Sequence, residues 1–207
     1  TISTTVSEFS IDKLKAELFW NYTSPFTYSR TAYTVSATIS NRCTREDTDL
    51  TDTVQAYISN NSYTNAGDYT ASVTGVNNSN YYVDLTNNKL NWTILRRTVV
   101  IDWTDNDFTF NAVHQAKTAT ATNLCNYDTI SFSYSYSVMN SAGIYGSYIA
   151  NTSTINKGKY KVKVTGISGT SAANYQLPET VQETTYEIAA RKLTATISSS
   201  DYTYNGS

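Results

Sequence analysis

The chain repeats itself, and the repetition constrains its fold more than any single motif. Phe26–Cys43 lies over Phe108–Cys125 without a gap, each residue recurring 82 positions on (108 − 26 = 82), with Phe-Thr-aromatic, Ala-Thr, Asn and the closing Cys shared. AGDYTASVTGV (Ala66–Val76) returns as KGKYKVKVTGI (Lys157–Ile167), now 91 positions on (157 − 66 = 91), and Asn80-Tyr81 returns as Asn174-Tyr175, 94 on (175 − 81 = 94). The growing displacement gives the second copy longer loops, mainly between Cys125 and Lys157. A partial third copy opens at Arg191, where RKLTATISSSDYTYN answers RTVVIDWTDNDFTFN. Self-similarity at a period of tens of residues is the signature of arrayed supersecondary units. The expected organisation is a closing strand of a preceding repeat over 1–11, whole repeats over 12–94 and 95–188, and the opening strand of a truncated further repeat over 189–207.

Within each copy the side chains alternate, which places them on opposite faces of a strand. Ala16, Leu18 and Trp20 are expected to face a core, as are Val99, Ile101 and Trp103, and Leu193, Ala195 and Ile197 in the partial copy. In SFSYSYSV, Phe132, Tyr134, Tyr136 and Val138 share one face and four serines the other. In KYKVKV, Tyr160, Val162 and Val164 point inward while Lys159, Lys161 and Lys163 are solvated. This pattern predicts half-buried antiparallel sheet throughout. Short strands separated by Asn, Gly, Ser and Asp clusters predict an all-β chain of tandem immunoglobulin-like antiparallel β-sandwiches. Gly67 and Tyr69, repeated as Gly158 and Tyr160, have the spacing of the tyrosine corner of such folds. The alternative, β-grasp repeats, requires a helix of ten or more residues, and none is legible. The joints at Leu95-Arg96-Arg97 and Ala189-Ala190-Arg191 hold neither Gly nor Pro, so a stiff end-to-end rod is expected rather than a flexible chain.

Composition narrows the function classes. Fifteen Lys and Arg against 17 Asp and Glu give a net charge of −2, without the basic excess a phosphate backbone demands. One His, one Met and two Cys leave little material for metal ligation, redox pairing or general base catalysis. Neither an enzyme nor a cofactor is expected. Cys43 and Cys125 hold equivalent places in successive repeats. A strand of about eight residues separates such places by roughly 25 Å, whereas a disulfide needs Cα atoms within about 7 Å. Both are therefore expected to be free thiols, small apolar fillers at strand ends. His114 stands where the first copy has Ala32 and is expected on the surface. Asp102, Asp105 and Asp107 have spacings that could serve calcium, but the other copies lack them, and a solvated loop is the expectation. Glu46–Asp52 reads as an exposed turn. No stretch reaches the roughly 18 apolar residues of a membrane helix, and the first residues lack a secretory leader, so the chain is expected to begin and end within a longer protein. The excess of tyrosine, 18 residues, could mark a sugar-stacking surface, but alternation assigns much of it to cores and corners. Tyr145 and Tyr148, in the longer loop GIYGSY, are the candidates for ligand binding.

The G-x-Y-x-x-x-V-T-G strand, the Asn-Tyr that follows it and the aromatic-Thr-aromatic-Asn after each opening strand resemble the tandem MBG (mucin-binding glycosylated) repeats of bacterial surface adhesins, over essentially the whole chain. The resemblance implies an extracellular location on the bacterial cell surface and an array built as a stalk. It implies neighbouring repeats as the first partners of each unit. The further partner it suggests is a host glycan, mucin or surface protein, and a monomer without nucleic acid or membrane insertion is the expectation for this segment.

Overall fold

The computed structural model describes residues 9–44, 46, 50–150 and 154–206. Those residues form strands and loops, with no α-helix among them and a single 3-10 turn at Ala172–Asn174. The protein is all-β. Two compact units emerge: the first comprises Thr1–Val99, Asn123–Ile130 and Gly169–Leu177, the second Val100–Thr122, Ser131–Ser168 and Pro178–Ser207.

The first unit is built on a four-stranded sheet in the order Phe26–Thr27, Lys89–Leu95, Gly67–Val76, Ala56–Ser59. Four short ladders complete it, pairing Leu18–Trp20 with Ala37–Ile39, Tyr33–Thr34 with Ser62–Tyr63, Leu14–Lys15 with Tyr81–Tyr82, and Arg97–Thr98 with Tyr175–Gln176. Ala16, Ile39, Val54 and Tyr81 form one core cluster, joined by Leu18, Ala56 and Val76. Trp92 is buried and gathers aromatic neighbours, with Tyr63 stacked on Tyr69 at 3.8 Å and Phe26 on Tyr33 at 4.5 Å. Aromatic contacts of this kind add to what burial alone contributes.

The second unit centres on a five-stranded sheet in the order Phe108–Thr109, Glu183–Ala189, Gly158–Ser168, Ser131–Val138, Ile149–Ala150. Its core holds Tyr160, Val162, Tyr186 and Ile188, flanked by Trp103, Phe108, Phe110, Tyr134 and Tyr136. Ile101–Trp103 pairs with Ala119–Ala121, as Leu18–Trp20 pairs with Ala37–Ile39 in the first copy.

The V-T-G motif has a structural reason in both copies. Tyr57 pairs with Gly75 and Ile58 with Val73, leaving Thr74 unpaired; Ser133 pairs with Gly166 and Tyr134 with Val164, leaving Thr165 unpaired. Each is a β-bulge, an extra residue that increases local twist.

Several expectations are corrected. The sheets are not antiparallel throughout: Leu14 with Tyr81, Phe26 with Ile94, Arg97 with Tyr175 and Phe108 with Ile188 are parallel pairs. Alternation reports which face a side chain takes, and that is the same for both strand directions. In Ser131–Val138 the pattern inverts at its end, with Ser137 buried and Val138 45% exposed. Ser137 is satisfied there, because its Oγ donates to the Gly146 carbonyl at 2.6 Å beneath the 140–148 loop. The strand ending at Ala189 is the last, and Leu193 and Ile197 are exposed in a stretch, 190–206, without strand pairing. At the other end of the chain 9–11 is likewise outside any strand, and 1–8 lie outside the described residues.

Candidate functional site

Three sets of side chains stand out, and the first two organise loops. Tyr69 Oη donates to the Asn65 carbonyl at 2.8 Å and Tyr160 Oη to the Asn156 carbonyl at 2.6 Å, each reaching four residues back. The ring folds over the intervening glycine: a Cβ on Gly67 would stand 3.2 Å from Tyr69 Oη, and one on Gly158 3.6 Å from the Tyr160 ring. Gly158 also has a φ of +157°, a conformation that side chains disfavour.

The second set is a latch built twice. In the first unit the Cys43 N–H donates to Tyr81 Oη at 2.8 Å, and that hydroxyl donates to Asp52 Oδ2 at 3.1 Å. In the same unit the Cys125 N–H donates to Tyr175 Oη at 2.8 Å, and Tyr175 donates to Asp128 Oδ2 at 2.8 Å. The tyrosine of each Asn-Tyr motif thus ties the backbone at the recurring Cys to a carboxylate. The cysteines are free thiols but not the small apolar fillers at strand ends expected from sequence: neither lies in a strand, Cys43 is exposed and Cys125 half-buried, and it is the backbone N–H of each that meets the tyrosine oxygen.

The Asp128 latch is the more elaborate. Tyr28 Oη also donates to Asp128 Oδ2 at 2.9 Å, Ser171 Oγ donates to Oδ1 at 3.2 Å, and the Arg30 guanidinium lies 3.3 Å from Oδ1. Tyr28 and Tyr175 meet edge to face with centroids 5.5 Å apart. Arg30 also donates to the Asn126 carbonyl and sits over the exposed Tyr127 ring at 5.3 Å. Burial alone would raise the Asp128 carboxyl, but the hydrogen bonds from Tyr175, Tyr28 and Ser171, with Arg30, outweigh it and hold the carboxyl below the ordinary carboxylate value. Burial, then the bonded carboxylate, pushes the Tyr28 hydroxyl up to about 12 and raises Tyr175 as well. The ionised carboxylate is thus surrounded by neutral hydroxyl donors, an arrangement that fixes a loop.

The third set contains the tyrosines singled out from the sequence. Tyr145 and Tyr148 are half-buried in the second unit beside the lysines of Gly158–Ser168. Lys161 Nζ lies 4.9 Å from the Tyr145 ring centroid, and Lys163 Nζ 4.2 Å from that of Tyr148. Tyr148 Oη donates to Glu183 Oε2, and Lys161 pairs with Glu183 Oε1 at 3.1 Å. The tyrosine hydroxyl and Lys161 lower the Glu183 carboxyl, while burial and Glu183 raise Tyr148. Lys161 and Lys163 are consequently half-covered rather than fully solvated, and Lys159 is exposed. The first copy has Thr70, Ser72 and Lys89 at the places of Lys161, Lys163 and Glu183, so this surface belongs to the second copy alone.

The remaining candidates take ordinary positions. His114 is exposed, with Nδ1 3.0 Å from Thr154 Oγ1 and its ring against Tyr136. Asp105 pairs with Lys117 at 3.3 Å. Among the described residues no three His, Cys, Asp or Glu side chains cluster as a metal site would require. Of the Glu46–Asp52 segment, residues 47–49 lie outside the described residues. The bonding roles of Asp52 and Asp128 were not legible in the sequence because Asp52 lies nine residues past its Cys and Asp128 three (52 − 43 = 9; 128 − 125 = 3), so no alignment superposes them.

No family model matches the chain, and searches of curated proteins and of solved structures likewise find no match.

Proposed function

We propose that the chain is a non-catalytic repeat segment of a large bacterial cell-surface adhesin, extracellular, whose tandem immunoglobulin-like sandwiches form a stiff stalk that projects a binding region. The observation that carries this reading is the duplicated latch. Where a site for chemistry would leave a carboxylate or hydroxyl open to substrate, Tyr81 and Tyr175 each join backbone to carboxylate at equivalent places. Repetition of a loop-fixing device suits a spacer, whose units need to be alike and rigid more than to be reactive. The joint at Leu95-Arg96-Arg97, without Gly or Pro, supports stiffness. Small-angle scattering of the intact chain tests it: an elongated particle of fixed maximum dimension is expected, and a compact or freely jointed one refutes the stalk.

A second reading, an adhesive module for host glycan, mucin or protein, is favoured by one observation. The Tyr145, Tyr148, Lys161, Lys163 and Glu183 surface occurs in one copy only, as a grafted binding site would and a uniform spacer would not. Saturable binding to mucins or a glycan array, lost in the Tyr145→Ala/Tyr148→Ala variant, would support it.

A further inference from the structure

The first unit contains a complete contact whose two halves also occur separately. There the Ala66 N–H donates to Asn174 Oδ1 at 2.8 Å, Asn174 Nδ2 donates to Asn65 Oδ1 at 3.2 Å, and Tyr175 lies edge to face with Tyr28. The receiving half is the tyrosine-corner turn Asn65-Ala66 together with Tyr28; the inserting half is Asn174-Tyr175 with Asp128. Asn174 is buried by this contact although it is polar, and its amide is satisfied on both sides.

The repeat places a second receiving half in the second unit. Asn156-Lys157 stands where Asn65-Ala66 stands, Phe110 where Tyr28 stands, and Arg191 where Arg97 stands. These residues, with Ala190 and Leu193, line an open hollow of about 690 Å³. Asn156 and Lys157 are exposed, and among the described residues neither the Asn156 side-chain amide nor the Lys157 N–H makes a hydrogen bond. The repeat also places a second inserting half in the first unit, Asn80-Tyr81 with Asp52. Asn80 is exposed there, and its side-chain amide has no partner among the described residues.

We infer that the hollow lined by Phe110, Asn156 and Lys157 receives the Asn80-Tyr81 loop of a second copy of this chain. In the docked pair Asn80 takes the place of Asn174, its Oδ1 accepting from the Lys157 N–H and its Nδ2 donating to Asn156 Oδ1. Charge agrees with this occupant, because Lys157 and Arg191 border the hollow while Asp52, bonded to Tyr81 Oη, accompanies the inserting loop, where Lys15 is neutralised by Asp84. The contact is weaker than its internal template. Phe110 has no hydroxyl to offer a carboxylate, and Ala112 stands where Arg30 supplies a guanidinium. Covalent linkage gives tandem repeats an effective concentration on the order of millimolar that separate molecules lack. Because the two halves lie on different surfaces, association is head to tail and does not close on itself. This goes beyond the stalk reading: a spacer requires no affinity for a second molecule, so failure here would leave the scattering result standing.

Sedimentation equilibrium of the intact chain from about 10 µM to about 1 mM, the range that effective concentration dictates, tests the inference. The weight-average mass is expected to rise above the 23.0 kDa of the monomer and to fall back with added salt. Asn80→Arg blocks the inserting half and Asn156→Arg the receiving half, each at an exposed side chain without an internal partner, so unchanged melting is the control for folding. Each variant alone is expected to stay monomeric. Their equimolar mixture is expected to regain association but stop at a dimer, because one intact hollow then meets one intact loop. A wild-type chain that is monomeric at 1 mM, association that survives either substitution, or a mixture that fails to associate overturns the inference.

Discussion

Replacing Tyr175 by Phe removes one oxygen and leaves the buried ring in place, so the perturbation opens no cavity. The oxygen accepts the Cys125 N–H at 2.8 Å and donates to Asp128 Oδ2 at 2.8 Å. A hydrogen bond to a charged acceptor contributes about 1.5–3 kcal/mol, and a half-buried N–H left without an acceptor costs about 1–3 kcal/mol. Asp128 keeps Tyr28, Ser171 and Arg30, so its charge is not stranded, which holds the total toward the lower end. The expected loss is about 2–4 kcal/mol for Tyr175→Phe. Tyr28→Phe, which gives up only a donation, should lose about 1.5–2 kcal/mol. With two compact units a single global unfolding free energy is ill-defined, so the assay is amide exchange at Cys125, supported by urea midpoints. At 1.4 kcal/mol per factor of ten the Cys125 amide should exchange roughly 30- to 700-fold faster. A double-mutant cycle with Asp128→Asn should show coupling above about 0.5 kcal/mol. That coupling should be complete above the ordinary unfolded carboxylate value and vanish as pH falls through the depressed folded value of Asp128. Unchanged exchange at Cys125, or additive effects of the two substitutions, would refute the latch as a source of stability.

The alkaline limb has the opposite sign. Tyr28 and Tyr81 are raised to about 12 in the folded chain against about 10 when unfolded, so their contribution is whole below about pH 10 and lost as pH rises toward 12, to be read as a fall in melting temperature over that window. Gly158→Ala should cost more than about 1 kcal/mol in urea unfolding, because the backbone there sits at φ +157° with the Tyr160 ring above it. Cys43→Ser and Cys125→Ser should change the unfolding free energy from urea denaturation by less than about 0.5 kcal/mol, and reductant should have no effect, since the latches engage the backbone N–H and the thiols are free. Tyr145→Ala/Tyr148→Ala should change stability by less than about 3 kcal/mol, the Lys161 and Lys163 contacts and the Tyr148 hydrogen bond to Glu183 all being at a partly exposed surface; a larger loss would make these rings part of the core.

What the sequence disclosed was whatever repeats at constant spacing or alternates. Tyr69 and Tyr160 carry their glycines at a fixed offset, so the recurrence of the pair was visible, while the bond from each hydroxyl to a carbonyl four residues back was not; the inward positions of Tyr160, Val162 and Val164 followed from period two. The V-T-G motif was visible as a string, whereas its cause, an unpaired Thr74 or Thr165, needed the register of a distant strand. Asp52 and Asp128 were hidden because the latch fixes the position of an oxygen in space and leaves the number of residues leading to it free. Strand direction was hidden for a related reason, as Phe26 and Phe108 face the same way whichever direction the neighbouring strand runs. Leu193 and Ile197 show the converse error: a strand pattern does not make a strand unless another strand accepts its backbone bonds.

The duplicated latch also explains how a recurring Cys can accompany the absence of a bridge. At Cys43 and Cys125 the backbone N–H meets a tyrosine oxygen, and that hydroxyl in turn donates a hydrogen bond to a carboxylate. A small side chain suffices there, and Cys is one such residue among several. The same division of labour holds at the tyrosine corners, where the fixed elements are a ring, a glycine beneath it and a carbonyl four residues back, with Asp68 or Lys159 tolerated between. A chain stabilised in this way distributes its loop closures over hydroxyl groups that neither oxidise nor titrate below about pH 10. The loops beyond those closures are then free to lengthen, as they do between Cys125 and Lys157, and it is in that added length that Tyr145 and Tyr148 arise.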